Sequence, residues 1–200
     1  MLDESSRLQY TRFPTNLTRA MLRAKNCTEP YLSLGFSILD SSIDLKQREL
    51  IILRIASISN CAYERMQHVP LAKVAGWTDR EIYEIESGSG ELLDVLSKAL
   101  LAFVNECTSS VRVSNETYRT LAQFYSEEQI THATLLIGFF MMTARFLETL
   151  EVELDDASYH IQTNAHSFTT SGQGKIEHMG ASSMGSGLTD FSAATALSAA

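Results

Sequence analysis

The sequence predicts an all-α fold, and three observations carry that expectation. Apolar residues recur at helical spacing through most of residues 10–156. Only Pro14, Pro30 and Pro70 interrupt the chain. No Asn-Gly or Asp-Gly dipeptide joins two alternating runs as a β-hairpin would require.

The elements follow in order. Thr15 or Asn16 can cap a first helix running to about Lys25, because their side chains accept hydrogen bonds from free first-turn amides. Tyr31 to Leu39 forms a second, apolar helix. Asp44 with Gln47 resembles a capping box and opens a core helix over residues 46–59. Ser59 or Asn60 then caps a helix beginning at Cys61 and stopping at Gly76. Thr78 and Glu81 form another box. Leu92, Val95, Leu96, Ala99, Leu100 and Phe103 mark a helix from Glu91 to Cys107. Ser126 and Gln129 open a long last helix over 127–154. It is apolar around much of its circumference, so burial on more than one side is expected, some of it against another subunit.

Hydrophobic residues make up 44% of the chain and charged residues 20%, ordinary globular usage that suits one helical domain over residues 1–156. Residues 157–200 are rich in Ser, Ala, Gly and Thr, with Lys175, Glu177 and Asp190 as their only charges. Such a segment buries too little apolar surface to offset its ordering entropy, so a disordered, low-complexity tail is expected, with partner binding as its alternative role.

The net charge of −8 and the lack of any basic cluster argue against nucleic-acid binding and against an anionic membrane surface. The longest apolar run, Leu135 to Met142, is too short to span a bilayer, and the first residues do not read as a secretory signal. Cys27, Cys61 and Cys107 are too far apart for a zinc motif and suit a reducing compartment. A cytoplasmic protein is expected.

Chemistry concentrates between Glu49 and His68. Glu49 lies among Leu50, Ile51, Ile52 and Leu53, where burial would raise its pKa unless a cation compensates; Arg54 and Arg145 are the candidates for that cation. Cys61, Glu64 and His68 fall at i, i+3 and i+7, on one helix face. A thiol in the first turn would feel the positive end of the helix dipole, lowering its pKa. Glu64 could orient the His68 imidazole and raise its basicity. Together these groups could move protons without a cofactor. The plainer reading makes Glu64 and His68 an exposed helical pair and Cys61 a small buried hydrophobe. No full metal-ligand set is apparent.

The pattern Glu49-x11-Cys61-x-x-Glu64-x-x-x-His68, followed by Ala72, Ala75, Gly76 and Thr78-Asp-Arg-Glu81, resembles the carboxymuconolactone decarboxylase family, which includes the AhpD-like alkylhydroperoxidases. The likeness covers residues 10–156. It implies an all-α, AhpD-like helical domain in a homo-oligomer (dimer, trimer or hexamer), with sites near subunit interfaces. In the peroxidase branch a second Cys stands where this chain has Glu64, so no disulfide can form within the motif. The stretch Tyr63-Glu64-Arg65-Met66-Gln67-His68 is instead similar to the branch carrying Tyr-Glu-Trp-x-x-His, with Arg65 in the Trp position.

The resemblance therefore implies a cofactor-free lyase, decarboxylase or isomerase for a small carboxylated, lactone or enolisable substrate. His68, oriented by Glu64, would be the acid or base. Glu49 would reprotonate the carbanion, Cys61 would line the pocket or donate a proton, and Tyr63, Arg54 and Arg145 would contact substrate. A thiol peroxidase relying on Cys61 alone and a non-catalytic binding member are the alternatives.

Overall fold

The computed structural model describes residues 3–156, and their regular structure is entirely helical. The helices are α1 (Glu4–Arg12), α2 (Asn16–Met21), α3 (Lys25–Leu39), α4 (Leu45–Ile58), α5 (Ala62–Val74), α6 (Asp79–Ser87), α7 (Val95–Ser109), α8 (Asn115–Leu121) and α9 (Glu127–Thr149). The expected tail at 157–200 lies outside the described residues.

The core is built around α4. Its consecutive residues Leu50, Ile51, Ile52 and Leu53 are all fully buried. Successive helical residues point about 100° apart, so four in a row cover the whole circumference and need cover on every side. That cover comes from α5, α6, α7 and α9, while α3 packs on α9 and α8 on α7.

The caps explain most boundaries. Asp44 accepts from the Gln47 amide at 3.0 Å, and Thr15 from the Thr18 amide at 3.2 Å. Thr78 with Glu81 and Ser126 with Gln129 form reciprocal boxes at the starts of α6 and α9. Asp94 caps α7 through the Ser97 amide, which is why that helix starts at Val95 rather than Glu91. Four elements depart from expectation in other ways. α3 begins at Lys25 and carries Pro30 inside it, at its sixth position, where the ring forfeits the backbone bond to the Asn26 carbonyl. α1 and α8, short and largely polar, have no apolar periodicity to announce them. α9 stops at Thr149: Glu151 takes a left-handed φ of 48°, and the Val152 amide returns to the Leu147 carbonyl at 3.0 Å.

The α4–α5 turn sets where the motif residues sit. Asn60 has a left-handed φ of 50°, and the Cys61 amide donates back to the Ala56 carbonyl at 2.8 Å. That is a helix C-terminal motif, so Ser59 and Asn60 finish α4 instead of capping α5. Cys61 itself occupies the cap position of α5, with no side-chain capping bond.

By length and composition α9 could cross a membrane. Its Ile130, Ala133, Leu136, Ile137, Phe140, Ala144 and Leu147 are nevertheless buried within the described domain, where it serves as a core helix. Leu135 and Met142 remain exposed on its outer face.

Arg54 holds the end of α6 in place. Its Nε donates to Asn105 Oδ1 and its Nη1 to the Glu86 carbonyl, both at 2.6 Å. Gly88 follows at a φ of 80°, where an added Cβ would sit 2.5 Å from Arg54 Nη2. Gly88→Ala should therefore combine left-handed strain with displacement of the guanidinium. Thermal unfolding should show a loss of about 1–3 kcal/mol.

Candidate functional site

α4 delivers Glu49 and α5 delivers His68, and the packing of the two helices brings them together. His68 Nδ1 lies 2.8 Å from Glu49 Oε2. Arg48 Nε approaches Glu49 Oε1 at 3.4 Å, and Arg48 Nη1 donates to the Leu39 carbonyl at 2.6 Å. Glu49 is wholly buried with a partner for each oxygen. As a carboxylate it accepts from the His68 Nδ1–H, which fixes the ring's tautomer and leaves Nε2 as the reactive nitrogen. The Phe140 ring meets the imidazole edge-on, with centroids 5.2 Å apart.

This corrects two expectations. Glu49 is the group that orients His68, whereas Glu64 makes no hydrogen bond to it. The cation beside Glu49 is Arg48 and not Arg54, which lies five residues along α4 and thus about 140° around the helix. Arg145 is exposed and donates to the Met141 carbonyl of its own helix at 2.7 Å. Neither Arg54 nor Arg145 joins the cluster.

One turn before His68, Glu64 is 2% exposed and both of its carboxyl oxygens lack a partner. Burial pushes its pKa up to about 8, with the Glu148 charge adding to the rise. The buried carboxyl without partners is thus Glu64, not Glu49. Near neutral pH it is largely protonated, a carboxylic acid able to give a proton.

Cys61 is 1% exposed and packs with Tyr63, Ala144 and Leu147. Burial pushes its thiol up to about 12, outweighing the help of the Glu64 amide; the Glu64 and Glu148 carboxylates push the same way. The expected lowering by the helix dipole is overruled, because desolvation acts on the whole thiolate charge while the dipole supplies only a fraction of one.

Tyr31 faces the same region. Its hydroxyl lies 2.8 Å from Thr143 Oγ1, and its ring stacks on Phe139 at 4.9 Å. Phe139 in turn meets Phe140 edge-on at 5.6 Å. An aromatic wall thus runs from Tyr31 to the His68 ring. Tyr63 has another duty: its hydroxyl donates to Asp155 and accepts from the Leu17 amide at 3.3 Å. Arg65, in the family's Trp position, is half exposed and pairs with Glu86 at 2.6 Å.

Sequence reading missed Arg48, Phe140, Tyr31, Glu148 and Asp155. Arg48 adjoins Glu49 and could have been considered from sequence; the others come from distant segments that only the fold brings near. Among the described residues, no three His, Cys, Asp or Glu side chains gather as a metal site would need.

Comparison with known proteins agrees with this architecture. The model of the carboxymuconolactone decarboxylase family matches residues 28–102, a span that contains Glu49, Cys61, Glu64 and His68. The uncharacterized protein YdfG of Bacillus subtilis is 31% identical over 101 residues, covering 49% of this chain and 69% of that protein. A protein of unknown function from Agrobacterium tumefaciens, described as a putative antioxidant defence protein AhpD, superposes with a TM-score of 0.63 at 19% identity over 68% of this chain and 95% of its own. The debrominase Bmp8 does so at 0.60 and 17%, over 72% and 78%. With the all-helical AhpD-like fold and the matched motif, the chain belongs to the carboxymuconolactone decarboxylase family.

Proposed function

We propose that this family member is a proton-transferring lyase or isomerase acting on a small enolisable, lactone or carboxylated substrate. The observation that carries the reading is the pairing of two unlike groups one turn apart on α5. His68 is held as a base by Glu49, and Glu64 is held as an acid by its dry surroundings. Groups whose environments drive their proton affinities apart make a natural acid–base pair.

His68 Nε2 would take a proton from the carbon next to a carbonyl. The C–H electrons move into an enolate, and Glu64 gives its proton to the enolate oxygen or to another carbon. In a decarboxylation, the C–C electrons freed as CO2 leaves would be quenched by the Glu64 proton. Each step balances with protons alone and needs no electron carrier. The active form would be a homo-oligomer, a proposal supported by Leu135 and Met142 exposed on the outer face of α9.

The state of Cys61 weighs against the thiol-peroxidase reading. A thiol titrating near 12 supplies very little thiolate at neutral pH. The fold itself is neutral on this point, since its neighbours include both a putative antioxidant protein and a debrominase.

The test is an anaerobic screen of keto acids, lactones and enolisable ketones in deuterated buffer, scored for CO2 release and for deuterium gained at carbon. A parallel assay follows peroxide consumption with added dithiol. Deuterium incorporation or CO2 release that is lost in His68→Ala is the expected result. Peroxide consumption abolished by Cys61→Ser, with no exchange at carbon, would overturn the reading.

A further inference from the structure

Cys61 is buried at the start of α5, and part of its cover comes from the segment after α9. There the chain continues in an irregular stretch, 152–156. Val152 packs onto the cluster of Cys61, Tyr63, Ala144 and Leu147, as does Leu17 from α2. Beyond it, the Asp155 carboxylate gathers three donors from two helices. Oδ1 accepts from the Asn16 amide at 2.7 Å, and Oδ2 accepts from Gln67 Nε2 at 2.8 Å and from the Tyr63 hydroxyl. Asn16 answers from the other side, its Nδ2 donating to the carbonyls of Glu153 at 3.2 Å and Leu154 at 3.1 Å.

We infer that segment 152–155 is a lid over Cys61 and that Asp155 is its latch. The segment has no regular structure of its own, so side-chain bonds at Asn16, Tyr63, Gln67 and Asp155 hold it down. Several of those bonds lie at the surface, where water can replace them one at a time. α4, α5 and α9, by contrast, are tied together by the fully buried core and cannot part without unfolding it. The cheapest route from solvent to Cys61 is therefore release of Asp155 and lifting of Val152. In the proposed reaction such a lid would admit substrate beside Cys61, one turn from Glu64 on α5, and shut water out afterwards.

This inference rests on the proposed reaction for its purpose but not for its test, which reads access alone. Full-length protein is labelled with a small uncharged maleimide at one fixed pH, and modification of Cys61 and Cys107 is followed separately by peptide mass spectrometry. Cys107, half-buried on α7, reports general loosening. Asp155→Ala should speed labelling of Cys61 at least tenfold while leaving Cys107 within twofold. Asn16→Ala removes only the two exposed bonds to the lid backbone and should give a smaller, several-fold rise at Cys61 alone. If Asp155→Ala unfolds the domain, Asn16→Ala decides the matter. Unchanged Cys61 labelling in the folded variants, or equal acceleration at both cysteines, would overturn the lid. Selective acceleration without turnover of any enolisable substrate would leave the lid standing and remove the proposed reaction.

Discussion

Replacing Glu64 with Gln should remove a pH dependence of stability worth up to about 5 kcal/mol. The folded protein keeps the Glu64 proton until about pH 8, against an ordinary carboxyl value of 4.5 in the unfolded chain. Between those values the unfolded chain has released a proton that the folded protein still holds. Raising the pH therefore favours unfolding across that window. The contribution is fully present below 4.5, declines through the window and is gone above about 8. Wild-type protein should accordingly lose stability relative to Glu64→Gln as the pH rises from 5 to 9, and the two curves should run parallel above that. Urea unfolding at pH 5, 7 and 9 measures it. Curves that stay parallel throughout would mean that Glu64 is ionised or well solvated in the folded protein. Only the slope is diagnostic, because a buried amide without partners carries its own constant cost.

The same residue shows how far the sequence could be read. Helix starts at Asp44, Thr78 and Ser126 were legible because a cap and its partner lie three residues apart and act locally. The cap of α5 was not. Asn60 is a good cap by residue type, but the end of α4 had already claimed it for a left-handed turn, a competition that sequence order does not display. Spacing put Glu64 and His68 on one face and made them look like partners. What separated their roles was the depth of α4 packing against α5, which sets Glu49 within 2.8 Å of the imidazole and leaves Glu64 without a partner. Dipole and spacing arguments favoured a reactive Cys61, yet desolvation outweighs both, and desolvation is a property of the assembled core. Asp155 escaped notice for another reason. It follows the last helix in an irregular stretch, and its partners Asn16, Tyr63 and Gln67 are distant in sequence.

His68→Ala should lower turnover by about 10²–10⁴-fold, the usual scale for losing a positioned acid or base. Glu49→Gln should fall in the same direction by a smaller factor. An amide at that position can still accept through its oxygen, but it can also offer N–H to the ring and stabilise the wrong tautomer. It also leaves Arg48 facing a neutral group where a buried carboxylate now sits. The consequence belongs in kcat more than in KM, since Glu49 acts through His68 and has no open side from which to touch substrate. Cys61→Ser, by contrast, should retain turnover within about tenfold, because the serine hydroxyl preserves a small polar group while abolishing thiolate chemistry. Glu64→Gln should keep the pocket's shape yet remove the proton donor, and the alkaline limb that Glu64 imposes on the pH–rate profile near 8 should vanish with it. Steady-state kinetics of the four variants on whichever substrate exchanges deuterium provides the measurement. Loss of activity in Cys61→Ser together with full activity in His68→Ala would reverse the roles assigned to the two residues and return the chemistry to the thiol.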